Sequence, residues 1–108
     1  MADIIATLER TISERRQADP ASSYVGRLMA SGRPKIAQKV GEEAVETVIA
    51  ALGGDSKQLI SESADLIFHL AVLLAEQGLS LGDVLGELER REGVSGIAEK
   101  AARPETSA

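Results

Sequence analysis

Two long apolar stretches separated by Gly53 and Gly54 decide which architectures are open to this chain. Hydrophobic residues recur at helical spacing from Ile36 to Leu52, and they cover most of the circumference of the segment that follows, up to about Gln77. A helix that is apolar around most of its circumference belongs in a core. Two such helices joined at a glycine break favour an antiparallel hairpin, so we predict an all-α fold built on this hairpin.

Start and stop signals predict three further helices around the hairpin. The first runs from Asp3 to about Gln17, a short one from about Tyr24 to Met29, and the last from the capping residue Ser80 to about Glu92. Within the hairpin, Pro34 suits a first helical turn and Asp55 or Ser56 suits a cap.

Length and composition are consistent with this architecture. The 108 residues suffice for one modest core, and aromatic residues make up only 2%, which favours helix packing over a sandwich or barrel. Without cysteine, a disulfide framework and a cysteine zinc site are excluded. We predict one all-α domain over residues 1–92 and a loosely held tail over residues 93–108. Two hairpins docking side by side would enlarge the core, so we predict a homodimer with a four-helix bundle at its centre.

Neither a signal peptide nor a membrane span is expected. The N-terminal sequence MADIIATLER carries charges at Asp3 and Glu9 and lacks the basic-then-apolar order of a signal peptide. No uninterrupted apolar run approaches the ~20 residues of a membrane helix. The sequence therefore predicts a soluble, cytoplasmic protein that does not act on a membrane.

The net charge of -5 conceals an asymmetry along the chain. Residues 15–39 carry six basic side chains against one acid, so this segment is +5 and the remainder is -10. Such a dipolar arrangement suits an anionic small molecule together with metal cations, and a solvated charged segment is the alternative. The isoelectric point near 4.9 argues against a nucleic-acid partner.

Acidic residues lie on one face of each hairpin helix. On the second helix the polar side chains, including Glu62, Asp65 and His69, fall within about 60° of arc when residues are placed at ~100° steps. Burying ionised carboxylates costs several kcal/mol each unless they are paired or bind a cation. We therefore expect this stripe to face a compensating partner and not bulk water.

The positions of the acids relative to the glycine break predict that they meet. At about 1.5 Å per residue, Glu46 and Glu62 stand about 11 and 13 Å from the break, and Glu43 and Asp65 about 16 and 17 Å. In an antiparallel hairpin the four carboxylates then face each other at two levels, which requires a cation between them. Ligation by carboxylate oxygens alone favours Mg²⁺, with Mn²⁺ as a substitute.

Two other interpretations of the acids compete with this one. A di-iron bundle needs a Glu-x-x-His motif from each of two helices, whereas this chain has a single histidine. In a non-catalytic helical dimer, Lys39 and the arginines of the basic segment would simply neutralise the acids. The residues alone leave this second alternative open.

The motifs of the hairpin resemble those of a known group of enzymes. KVGEEAVE (39–46) and ESADLIFHL (62–70) resemble the E-E-x-x-E and E-x-x-D signature of the all-α nucleotide pyrophosphohydrolases, the MazG-like superfamily. More narrowly, SSYVGRLMASGRPKIAQKVGEEAVE with ADLIFHLAVLL is similar to the phosphoribosyl-ATP pyrophosphatase family, from about Leu8 to Arg91. Phe68 departs from the Tyr common there, and Val25 from a frequent Thr.

The resemblance implies a reaction. It implies Mg²⁺-dependent hydrolysis of 1-(5-phosphoribosyl)-ATP to 1-(5-phosphoribosyl)-AMP and pyrophosphate, the second step of histidine biosynthesis, with a metal-bound water as nucleophile. A house-cleaning pyrophosphatase of the same superfamily, which would accept ordinary or damaged nucleoside triphosphates, is the alternative. The basic segment favours the first reaction because a second ribose phosphate needs additional cations.

The resemblance also implies roles for individual acids. The expected metal ligands are Glu43, Glu46, Glu62 and Asp65, and the expected catalytic residues are Glu42, Glu43 and Glu46. Glu42 could be a further ligand or accept a proton from the attacking water. The alternative for Glu42 is a surface acid paired with Gln38 or Lys39.

The expected substrate-binding residues lie within the basic segment, residues 15–39: Ser23, Tyr24, Arg33, Lys35 and Lys39. Lys39 would reach a phosphate or balance the acids, and Arg33 and Lys35 lie at a helix N-terminus, where free N–H groups add positive potential. Tyr24 would stack on a base or pack on a helix. We expect His69 to be a partner of a carboxylate and not a metal ligand.

Overall fold

Five α-helices and no strand make up residues 3–93, the part of the chain that the structure, a computed structural model, describes. The helices are α1 (Asp3–Arg15), α2 (Tyr24–Ser31), α3 (Arg33–Gly53), α4 (Ser56–Glu76) and α5 (Leu81–Arg90). The predicted all-α class is confirmed. The tail predicted from residue 93 onward lies almost entirely outside the described residues.

The helices begin at the residues that the capping signals indicate. The Ser23 side chain accepts a hydrogen bond from the main-chain N–H of Gly26, and Asp55 accepts from the first turn of α4. Ser80 and Asp83 form a reciprocal capping box at the start of α5. Between α3 and α4, Gly54 adopts the left-handed conformation with φ of 80°, which ends α3 sharply.

Helices α3 and α4 pack against each other along their lengths, and this antiparallel hairpin is the most extensive contact of the described fold. Helices α1 and α2 cover only the end of the hairpin remote from the Gly53–Gly54 turn. The buried core lies there and consists of Ile12, Val25, Leu28, Ile36, Ala71, Val72 and Leu81. The half of the hairpin nearer the turn has no such cover.

The uncovered half of the hairpin exposes a row of large apolar side chains: Val45, Val48, Ile49, Leu52 and Ile60. Each is more than half exposed, and Leu52 reaches 84%. Contiguous apolar surface of this kind marks an interaction site in a soluble protein. The predicted homodimer would cover this surface, and it stays a prediction here.

By length and composition α4 is apolar enough to cross a membrane, with a mean hydropathy of 1.4 in its most apolar window. Helices in the core of a soluble protein also reach such values. In the described fold α4 packs on α3 and turns its polar stripe toward the acids of that helix.

Candidate metal centre and active site

Four carboxylates converge where α3 faces α4. Oxygens of Glu43, Glu62 and Asp65 lie within 4.8 Å of one another. Glu46 lies near them, since its carboxyl group acts to raise the pKa of both Glu43 and Glu62. The structure thus brings together Glu43, Glu62 and Asp65 of the four acids predicted to meet, with Glu46 beside them, and the three could hold a metal ion.

Glu43 is the most deeply buried of the four acids. It is 8% exposed, and its Oε2 atom is buried with no hydrogen-bond partner among the described residues. Burial, followed by the hydrogen bond and charge of Glu46, raises the pKa of Glu43. A buried oxygen without a donor is costly in an apolar surrounding, and a cation would compensate it. The donor set, carboxylate oxygens alone, fits a hard divalent ion.

The remaining acids lie closer to solvent. Glu62 is half-buried, and burial together with Glu46 raises its pKa, whereas Glu46 and Asp65 are exposed. The expectation that the polar stripe of α4 is withdrawn from water thus holds for His69 and fails for Asp65 in the single chain. The reason is that α1 and α2 do not extend over this part of the hairpin. The open side leaves room for a substrate.

A cavity of about 260 Å³ adjoins the acids on the side of the turn. It is lined by Glu46, Ile49, Ala50, Gln58 and Glu62. Gln58 lies outside the acidic motifs, and nothing in the sequence distinguishes it as a site residue. A second cavity, of about 280 Å³, lies between α1 and the C-terminal end of α4, away from the carboxylates.

Thr47 ties the two helices together at the level of the acids. Its hydroxyl lies 2.8 Å from the main-chain oxygen of Glu43 and 3.3 Å from that of Glu62. Sequence reasoning did not identify Thr47. The available signal was a hydroxyl four residues after a candidate ligand, a spacing at which Thr bonds back to its own helix.

Glu42 points away from the cluster. Its carboxylate accepts a hydrogen bond from Gln38 at 2.8 Å and lies 3.4 Å from the ammonium group of Lys39. The bond from Gln38, and then Lys39, lowers its pKa. This geometry matches the alternative of a surface acid, and the structure does not bring Glu42 together with the other candidate catalytic residues Glu43 and Glu46.

The candidate phosphate-binding residues of α3 lie at different distances from the acids. Lys39 is next to them, since Glu42 and Glu43 both act to raise its pKa, after a larger effect of Tyr24. Lys35 is exposed and close enough to Glu42 to lower the pKa of that group. Arg33 is bonded to Glu76 at the C-terminal end of α4 by a 2.7 Å contact, so a phosphate role would compete with this ion pair.

Ser23 and Tyr24, the other two residues predicted to bind substrate, have local partners. Ser23 caps α2, and the hydroxyl of Tyr24 lies 2.7 Å from Nε2 of His69. One face of Tyr24 stacks on Phe68, with ring centroids 6.0 Å apart. Nδ1 of His69 is 2.7 Å from the main-chain oxygen of Asp65, so neither ring nitrogen bonds a carboxylate. His69 nevertheless lies close enough to Glu43 to act against the rise in the pKa of that residue. The polar groups it contacts are that oxygen and the Tyr24 hydroxyl.

Comparison with known proteins identifies close relatives. The family model described as phosphoribosyl-ATP pyrophosphohydrolase matches residues 5–92. The phosphoribosyl-ATP pyrophosphatase of Rhizorhabdus wittichii is 64% identical over 96% of this chain and 98% of that protein. The phosphoribosyl-ATP pyrophosphatase of Novosphingobium aromaticivorans is 63% identical over 94% of this chain and 94% of that protein. The one of Zymomonas mobilis is 64% identical over 96% of this chain and 97% of that protein.

Proposed function

Because the chain belongs to the phosphoribosyl-ATP pyrophosphohydrolase family, we propose that it hydrolyses 1-(5-phosphoribosyl)-ATP to 1-(5-phosphoribosyl)-AMP and pyrophosphate, the second step of histidine biosynthesis. The sequence-based resemblance is thereby confirmed. The chain and these relatives match over nearly their whole lengths.

Mg²⁺, with Mn²⁺ as a substitute, is the cation we propose for the cluster of Glu43, Glu46, Glu62 and Asp65. The observation that carries this proposal is the buried, unpartnered Oε2 of Glu43 within a group of convergent carboxylates. A bound divalent ion supplies Lewis-acid stabilisation of charge on phosphate oxygens. The protein contributes the fixed geometry, since Thr47 holds both helices at this level.

The side chains around the cluster suit a substrate rich in phosphate. The bond that breaks lies between the α and β phosphates, so anionic oxygens must approach an acidic site. Lys39 at its edge and Lys35 one turn earlier supply positive charge for them. The cavity beside Glu46 and Gln58 offers space next to the same carboxylates.

We propose further that the enzyme is a cytoplasmic homodimer whose partner is the small-molecule substrate and neither nucleic acid nor a membrane. The exposed apolar row of the hairpin supports the dimer, because a second copy would remove this surface from water. The net charge of -5 supports the absence of a nucleic-acid partner.

The test is pyrophosphate release from phosphoribosyl-ATP, with and without Mg²⁺, by the wild type and Glu46→Gln. We expect pyrophosphate release that depends on Mg²⁺ and falls at least ~100-fold in the variant. Removing a metal ligand should reduce activity at least as much as removing a residue that only orients a metal ligand. Glu89→Gln, an exposed acid on α5, is the matched control and should keep full activity. Rapid turnover of ordinary deoxynucleoside triphosphates would instead assign the chain to the house-cleaning enzymes.

A further inference from the structure

The face of α3 that carries the acids changes its charge along the helix. Its members follow one another at intervals of three or four residues, the spacing that keeps side chains on one face. In order toward the turn they are Lys35, Lys39, Glu43, Glu46 and Ala50. On this face of α3, positive charge therefore lies on one side of the carboxylates only, the side remote from the turn.

The side remote from the turn suits anionic oxygens. Lys39 stands one turn before Glu43, and its ammonium group lies 3.4 Å from the carboxylate of Glu42. Lys35 precedes Lys39 by a further turn and is exposed. Both cations thus stand within about 12 Å of Glu43 along the helix axis. An ammonium group is a hydrogen-bond donor only, so this side attracts phosphate.

The side nearer the turn has a different lining. Besides the carboxylates of Glu46 and Glu62, the cavity of about 260 Å³ is lined by Ile49, Ala50 and Gln58. Lys57 is the single basic residue in the segment 44–65, and it is not among the lining residues. An anion in this cavity would face two carboxylates without a lysine or arginine in its lining, whereas an uncharged group is not repelled.

The side-chain amide of Gln58 is available to a ligand. The main-chain N–H of Gln58 is bonded to Asp55, but its side chain bonds to no other residue within residues 3–93. An amide offers both donors and an acceptor, which match the hydroxyls of a ribose and the nitrogens of a purine. Ile49 and Ala50 add apolar surface on which a ring can pack.

We propose that Gln58 binds the uncharged nucleoside part of phosphoribosyl-ATP in this cavity, while the β and γ phosphates extend toward Lys39. This orientation rests on the function proposed above. The reacting bond has phosphates on one side and a ribose and purine on the other, so its two sides differ in charge as the two sides of the cluster do. The distal ribose phosphate then lies beyond the cavity, toward the end of the hairpin where Lys57 stands in the first turn of α4.

Two substitutions test the two sides separately, with the Kd of each product measured by calorimetry in the presence of Mg²⁺. Gln58→Met keeps the length of the side chain and removes its polar atoms. It should raise the Kd for phosphoribosyl-AMP about threefold to tenfold, the effect of one neutral hydrogen bond, and leave the Kd for pyrophosphate unchanged. Lys39→Met should raise the Kd for pyrophosphate at least about tenfold and have the smaller effect on phosphoribosyl-AMP.

The matched control is Gln77→Met, which changes a glutamine just beyond the opposite end of α4 and should alter neither Kd. Ile49 is left unchanged because it also belongs to the exposed apolar row of the hairpin. Gln58→Met that weakens both products equally, weakens pyrophosphate alone, or weakens neither would overturn the inference.

A spectroscopic measurement gives a readout besides affinity. The chain has four glutamines and no asparagine, so its ¹⁵N spectrum holds four side-chain NH₂ pairs, and the pair missing from Gln58→Met is that of Gln58. We expect this pair to move when phosphoribosyl-AMP is added with Mg²⁺ and to stay in place with pyrophosphate. The reverse pattern would overturn the inference.

The wild type separates this inference from the function on which it rests. Pyrophosphate release from phosphoribosyl-ATP by the wild type, with unchanged binding of both products in Gln58→Met, would remove the proposed orientation and leave the reaction intact. A wild type that releases no pyrophosphate would remove the proposed reaction, and the orientation with it.

Discussion

Glu43 and Glu42 are adjacent in the chain and differ completely in their surroundings. A step of ~100° around α3 carries one carboxylate into the hairpin and leaves the other on the surface, bonded to Gln38. Within residues 3–93, Glu43 consequently has a buried oxygen without a donor, so we expect this residue to respond to a bound cation.

The first prediction concerns the metal-free protein. Burial and Glu46 raise the pKa of Glu43, so the native state holds this proton more tightly than the unfolded chain does. The stability that this proton adds is fully present below pH 4.5, the ordinary pKa of a glutamate. It is lost as the pH rises from there through the raised pKa of Glu43. Urea unfolding in the presence of a chelator should show this decline, and Glu43→Gln should lessen it.

Mg²⁺ should restore the stability that the metal-free protein loses as the pH rises. At a concentration 100 times its Kd, a ligand of the native state adds about 2.7 kcal/mol to the free energy of unfolding. We expect such a gain for the wild type and a much smaller one for Glu43→Gln, while the exposed-acid control Glu89→Gln should behave as the wild type. A wild type that gains nothing from Mg²⁺ or Mn²⁺ would support the purely structural salt-bridge role instead.

Several residue-level partnerships could not be predicted from the sequence. Tyr24 and His69 are 45 positions apart, and only the docking of α2 on α4 brings them to hydrogen-bonding distance. Thr47 and Gln58 carry no motif signal, and their positions depend on how closely the hairpin helices approach. The motif did, however, identify all four carboxylates that converge.

At the scale of helices, the register of the hairpin was the most predictable feature. Gly53 and Gly54 fix where both helices turn, so counting residues from the break correctly placed Glu43 of α3 opposite the acids of α4. The exposure of individual side chains on the hairpin was less predictable. Hydrophobic periodicity shows that one face of a helix is apolar, but it does not show which other element covers that face. Helices α1 and α2 cover one end of the hairpin and leave the other end uncovered, where the proposed second copy would pack.

The second prediction concerns the packing of α2. Gly26 lies so close to the preceding turn that an added Cβ would be 2.3 Å from the main-chain oxygen of Ala18. Gly26→Ala should therefore lower the free energy of unfolding by about 1–3 kcal/mol, measured by chemical denaturation. Gly86→Ala is the matched control, since nothing lies within 4 Å of its added Cβ, and it should gain about 0.5–1 kcal/mol as an alanine in a helix. Equal effects at the two positions would contradict the close approach.

At the scale of the whole molecule, the exposed apolar row sets the third prediction. Leu52→Lys places a charge at the most exposed apolar side chain of the hairpin, 84% exposed in the single chain. If a second copy buries this position, the loss of about 1.5–3 kcal/mol of apolar burial should raise the dimer Kd at least about tenfold. Light scattering over a dilution series measures the change.

The control for this experiment is Leu79→Lys, which changes an exposed leucine outside the hairpin, in the connection before α5. It should leave the dimer Kd unchanged. A wild type that is monomeric at micromolar concentration would contradict the proposed homodimer directly.

The hairpin also has a consequence for the order in which the molecule folds. All four carboxylates come from one continuous segment, residues 43–65, so the contacts that assemble them are local in sequence, and local contacts form fast. We expect amide protons of α3 and α4 to become protected before those of α1 in pulse-labelled hydrogen exchange during refolding. The acidic centre would then form before α2, the helix that carries Tyr24, has docked on the hairpin. A cation that binds at that stage would favour productive folding over aggregation.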